Sequence, residues 1–143
     1  MSTLTTANSA VSLVVRGLFP VPQRLQGYAT DDSFAADDVS PMEVQMGVDG
    51  QLSAGFVPYP TAISFTFQAD SPSVDMFDTV LEAQKANKEG FIFDGTIIIQ
   101  GTGAKYAMTK GFLTSATPMS SAKKMLQPRK FTITFESVTK APV

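Results

Sequence analysis

Residues 61–90, TAISFTFQADSPSVDMFDTVLEAQKANKEG, hold two periods back to back. In 61–69 the apolar residues alternate. Ile63, Phe65, Phe67 and Ala69 share one face and Ser64, Thr66 and Gln68 the other, the pattern of a half-buried strand. From Ser71 the period lengthens. Ser71 suits an N-cap, Pro72 the first helical position, and Asp75 and Asp78 the positive end of the helix dipole. Lys85 and Lys88 suit the negative end, and Gly90 the stop. Val74, Phe77, Val80 and Leu81 make a stripe narrow enough to lie on a sheet. The stretch predicts a strand running straight into a helix that packs on a sheet.

The rest of the chain reads as strands. RKFTITFESV at 129–138 repeats the alternation, with Phe131, Ile133 and Phe135 inward and Lys130, Thr132, Thr134 and Glu136 outward. VSLVVRGLF at 11–19 predicts a first strand with a bulge at Gly17, ended by Pro20 and Pro22. Residues 20–40 show no period and read as a long loop, a length that is functional or disordered in so small a domain. MEVQMGV at 42–48 and QLSAGFV at 51–57 flank Asp49–Gly50, which predicts a hairpin closed by a type I′ turn. GTIIIQG at 95–101 turns at Gly101–Gly103 into KYAMTKGFLTSATP at 105–118, where Gly111 marks a bulge. The expected fold is mainly β: an antiparallel β-sandwich or partly open barrel of about seven strands with one flanking α-helix. It forms one domain over 1–143, with residues 1–10 as a flexible arm.

Composition narrows the chemistry. The 143 residues include no cysteine, histidine or tryptophan, are 43% hydrophobic and 17% charged, and carry net charge −2. Without His or Cys there is no Ser–His–Asp or Cys–His pair, no disulfide and no ordinary zinc site. Asp75 and Asp78 share a helix face, but carboxylates there serve the dipole. Asp31, Asp32, Asp37 and Asp38 lack the spacing and closing glutamate of a calcium loop. GTGAK at 101–105 lacks the spacing and following helix of a phosphate loop. The reading is a non-enzymatic domain with no catalytic, cofactor or metal residues. The polar start MSTLTTANSA does not read as a secretory signal, and no apolar run suits a membrane helix.

Charge is unevenly placed. Residues 1–72 carry Arg16 and Arg24 against seven acids, while the excess of bases lies beyond. The densest patches are TDDSFAADD at 30–38 and AKKMLQPRK at 122–130. Opposite patches on identical subunits attract head to tail, so Asp31, Asp32, Asp37 and Asp38 are candidate interface partners of Lys123, Lys124 and Arg129. The outward residues Ser64, Thr66, Gln68, Thr132, Thr134 and Glu136 form nearly neutral polar faces suited to a solvated wall.

The order of these features resembles the bacteriophage tail tube proteins, relatives of the type VI secretion tube protein. The arm and first strand, the long loop, the MEVQMGVDGQLSAGFV hairpin, ISFTFQA entering SPSVDMFDTVLEAQ, and LQPRK before FTITFESV carry the likeness over about 11–138. The resemblance implies a virion subunit, made in the host cytoplasm, that forms six-membered rings stacked into a hollow tube for genome ejection. DNA would pass through the lumen without specific binding, and no membrane is involved. The six polar outward residues become lumen-facing candidates. Sheath, tape-measure, baseplate and tail-terminator proteins are the implied partners besides self. The alternatives are a tube-terminating component of the same fold, or a β-sandwich binding module such as a carbohydrate binder using Tyr28, Tyr59 and Tyr106. An acidic lumen wall is not evident in the two clearest strands.

Overall fold

A computed structural model describes residues 9–25, 34–99, 102–119, 122 and 124–142. Its elements run β1 (Ser9–Val15), β2 (Phe19–Arg24), β3 (Phe34–Ala36), β4 (Met42–Met46), β5 (Leu52–Phe56), β6 (Thr61–Phe67), α1 (Pro72–Asn87), β7 (Phe93–Ile99), β8 (Ala104–Ala116) and β9 (Arg129–Pro142). Seven strands form one antiparallel sheet in the order β2-β1-β7-β8-β9-β6-β3, and β4 and β5 form a separate ribbon. The edges β2 and β3 do not pair with each other, so the sheet stays open. This is the mainly β, one-helix architecture the sequence implies, with nine strands among the described residues rather than about seven.

The strand-to-helix step builds the core. Ile63, Phe65 and Phe67 of β6 and Phe131, Ile133 and Phe135 of β9 are buried on one face. Direct pairing of Ile63 with Ile133 and Phe65 with Phe131 lines the two apolar rows up. Helix α1 lies over these rings: Phe77 stacks on Phe131 with centroids 4.5 Å apart and on Phe93 at 6.3 Å, with Phe67 at 5.6 Å. Val74, Met76 and Val80 complete its buried face. Ser71 caps the helix by accepting from the Ser73 amide, and Pro72 opens it. Its end differs from expectation: Lys88, at φ 54°, takes the left-handed position assigned to Gly90.

Three further local expectations are corrected. Pro20 and Pro22 do not end the first sheet region. The chain turns at Gly17 (φ 89°) and returns as β2, which contains both prolines. β2 is an edge strand, where a missing N–H need not break a ladder. The segment 20–40 therefore holds β2 and the short edge strand β3 rather than one long loop. At Asp49–Gly50 only Gly50 has positive φ, so the turn is not type I′. The Gly50 amide donates to Gly47 O at 3.0 Å and the Gly47 amide to Gln51 O at 2.8 Å. This is a three-residue loop: a type I turn followed by a left-handed glycine.

The bulge expected at Gly111 falls beside it. The β7–β8 register shifts between Phe93 and Gly95, and Lys110 takes φ 50°. Gly111 serves another need, since a Cβ there would collide with the Phe135 ring. The predicted arm 1–10 ends within β1, which starts at Ser9; residues 1–8 lie outside the described chain.

Candidate assembly surfaces

Among the described residues the sheet's second face carries no helix. Ser64, Thr132 and Thr134 lie on it, opposite the buried phenylalanines of β6 and β9, as does Thr66. Ser64 Oγ and Thr132 Oγ1 are 3.0 Å apart across the strand pair. Thr114 of β8 extends the row, with its hydroxyl 3.1 Å from that of Thr134 and 3.3 Å from Thr132 O. These hydroxyls satisfy one another and the backbone, giving an uncharged polar band. Ser64 is only 9% exposed and is the least accessible of the six lumen candidates. Gln68 lies past the end of β6, in the turn where its carbonyl accepts from the Ser71 amide at 3.0 Å. Glu136 is exposed on the sheet and 3.7 Å from Lys110 Nζ.

A second ion pair lies beside it. Arg16, in the β1–β2 turn, places Nε 2.7 Å from Asp94 Oδ2 and Nη2 3.1 Å from Oδ1. Asp94 Oδ1 also accepts from the Lys110 amide at 3.1 Å, at the left-handed residue of the bulge. One carboxylate thus fastens the turn and the bulge. The hydrogen bond from Arg16 holds the Asp94 carboxyl below its ordinary range, and the same bond raises the Arg16 guanidinium. A depressed carboxyl contributes stability above its unfolded pKa, and that contribution is lost as pH falls through the folded value. Asp94→Asn should therefore lower the melting temperature at pH 7 and converge on the parent protein as pH falls through the folded value of the Asp94 carboxyl. Thermal melts at a series of pH values check this; an equal gap at every pH would contradict it.

The charged interface candidates separate. Asp37 and Asp38 are exposed just after β3, and Lys124 is exposed in the β8–β9 connection. Asp31, Asp32 and Lys123 lie outside the described residues. Arg129 is not a surface cation: it is 6% exposed and engaged within its own chain. Its guanidinium reaches Asp78 at 2.6 and 3.0 Å, donates to the carbonyls of Thr117 and Pro118, and sits 5.2 Å from the Phe131 ring centre. Asp78, read as a dipole partner, is the anchor of that bond. A basic loop ending in Arg and an acid on a helix carried no sequence signal that they meet.

The β4–β5 ribbon exposes a continuous apolar face. Register pairs Met42 with Phe56, Val44 with Ala54, and Met46 with Leu52, so one face is apolar throughout. Met42, Val44, Met46, Leu52 and Phe56 are 48–69% exposed. An isolated two-stranded ribbon is marginal in water, and an apolar patch of this kind marks a contact surface. Among the described residues no group of three or more potential metal ligands is found, and no helix is long and apolar enough to cross a membrane. Of the tyrosines proposed as a carbohydrate platform, Tyr106 is half-buried against the core and Tyr59 packs edge-on to Phe56 at 6.3 Å. Tyr28 lies outside the described residues.

The described residues thus form an open sheet with one helix, whose apolar surplus faces outward on the β4–β5 ribbon. The chain belongs to the family described as tail fiber protein gp32, which matches residues 2–139. No curated protein matches it. Among solved structures, the sheath/tube terminator of the extracellular contractile injection system PVC superposes with a TM-score of 0.71 at 14% identity, covering 99% of this chain and 98% of that one. The tube-terminating cap of the anti-feeding prophage gives 0.62 at 15% identity, over 100% and 93%. The PVC sheath–tube complex gives 0.59 at 16%, over 93% and 88%. At such identities the likeness is one of fold.

Proposed function

We propose that the chain is a self-assembling subunit of a tail conduit, forming rings that stack into a hollow tube, with the uncovered polar face of the sheet toward the channel. The observation that carries this reading is the pairing of surfaces on one small domain. A sheet face carries neutral hydroxyls while a separate ribbon exposes an apolar face. A monomer has no use for the second, and a conduit suits the first. Near the hydroxyl band Arg16 pairs with Asp94 and Lys110 with Glu136, while Lys130, across from Thr66, adds one exposed cation to this face. Cargo such as DNA would meet a wall that neither grips nor strongly repels it, in keeping with passage without specific binding.

A tube-terminating ring of the same fold is the second reading. It is favoured by the fuller superposition on the PVC terminator than on the tube complex. Light scattering after size exclusion, followed by negative-stain microscopy, separates the readings. A tube subunit gives hollow tubes of uniform width and open-ended length. A terminator gives single rings that do not elongate. A monomer at all concentrations would overturn both.

A further inference from the structure

A groove of about 430 Å³ beneath the β3 edge is another apolar surface that the described residues leave uncovered. Ile97 and Ile99 of β7, Tyr106 of β8 and Val138 of β9 line it, and Asp37 and Lys140 stand among its walls. Helix α1 packs over Phe67, Phe93 and Phe131 instead. No residue of the β4–β5 ribbon lines this groove, and every residue of both strands is exposed. The ribbon is held at a stiff stem. Pro41, Pro58 and Pro60 fix φ around its root, and the Val57 amide closes on Pro41 O at 2.9 Å. One chain therefore carries a convex apolar stripe and a concave apolar seat, which touch at the ribbon's root where Phe56 packs edge-on to Tyr59 of the groove wall.

We propose that the apolar face of the β4–β5 ribbon seats in this groove of a second copy. This deepens the self-assembly reading and rests on it. A donor surface and an acceptor surface on the same chain make a heterologous contact, repeated head to tail around a ring or along a stack. A strand of five residues spans about 17 Å and presents Val44 and Leu52 on its apolar face. Charge sets the direction. The ribbon's only charged residues are Glu43 and Asp49, both acidic. On the groove, Lys140 on β9 offers attraction at one side, while Asp37 repels from the other. The acidic ribbon is thereby steered toward the β8–β9 side.

Because the chain has no cysteine, introduced thiols report contacts without background. Val44→Cys protein mixed with Val138→Cys protein and treated with a short bismaleimide should give a covalent heterodimer. Its yield should exceed, by tenfold or more, that from Val44→Cys with Met125→Cys. Met125 lines the other apolar groove, beside Asp70 and Leu126. Melting curves close to the parent's establish that each variant folds. Lys140→Glu added to the Val138→Cys partner should cut the yield several-fold. Preferential coupling to Met125→Cys overturns the proposal by placing the ribbon elsewhere. Absence of coupling while rings or tubes form overturns it and leaves the self-assembly reading standing. Absence of both coupling and assembly overturns the two together.

Discussion

Phe77→Ala should destabilise the protein by about 3–5 kcal/mol, the range for deleting a buried aromatic ring. Phe77 is fully buried and sits between two ring systems, 4.5 Å from Phe131 on β9 and 6.3 Å from Phe93 on β7, with Phe67 at 5.6 Å. It is the side chain through which the single helix grips three strands at once. Removing it leaves a void lined by rings that sit on separate strands and cannot collapse together. For a domain whose whole stability is about 5–15 kcal/mol, that loss is a large fraction. Phe77→Leu keeps most of the volume and should cost about 1.5 kcal/mol or less. Urea unfolding followed by circular dichroism reads both values. A loss below about 1 kcal/mol for the alanine variant would mean the helix is not held by this stack. Phe77 lies under the helix, away from both the hydroxyl band and the ribbon. The leucine variant should therefore assemble like the parent, which separates core stability from contact formation.

How far the fold could be read depends on where a strand keeps its parity. β6 and the first half of β9 alternate without interruption, so Ile63 to Phe67 and Phe131 to Phe135 revealed their buried face directly. β8 does not. Its core-facing residues run Ala104, Tyr106, Met108, then Gly111 and Leu113, then Ala116, because the register shifts once against β7 and again against β9. Two parity changes in thirteen residues erase a period of two. Thr114 thus joined the hydroxyl row unannounced, and Val138 arrived in the groove. Edge position explains the other gap: β2 and β3 bury little, so neither left an apolar pattern, and two prolines in β2 read as breakers. The ribbon was legible as a hairpin from Asp49–Gly50. Its complete exposure was not, since an alternating apolar face looks the same whether its cover lies in the same chain or in another. Arg129 looked like part of a basic patch because sequence shows charge and not the distance to Asp78.

That last bond supports the second large effect. Asp78→Ala should cost about 2–3 kcal/mol, less than the ~3–5 kcal/mol of a fully buried pair because the Asp78 side chain is 44% exposed. What remains is a cation whose side chain is 7% exposed, facing carbonyls and a ring but no counter-charge. Arg129→Met removes the cation itself. It leaves Asp78 able to hydrate and places an unbranched apolar side chain over Phe131, at the loss of hydrogen bonds to Thr117 and Pro118 worth about 1 kcal/mol each. The order of effects should therefore be non-additive. Asp78→Ala with Arg129→Met should be more stable than Asp78→Ala alone, because the second change relieves the charge stranded by the first. Chemical denaturation of the four proteins measures this cycle, and additive losses would show that solvent already screens the pair. The consequence extends to assembly. Arg129 joins the second turn of α1, the end of β8 and the start of β9, and so fixes both ends of the connection that carries Lys124, Met125 and Leu126. Asp78→Ala should loosen that connection and leave the ribbon and its groove unchanged. Rings that still close but stack poorly would then assign the 117–128 connection to contacts between rings, and unimpaired tubes would show that it has no part in them.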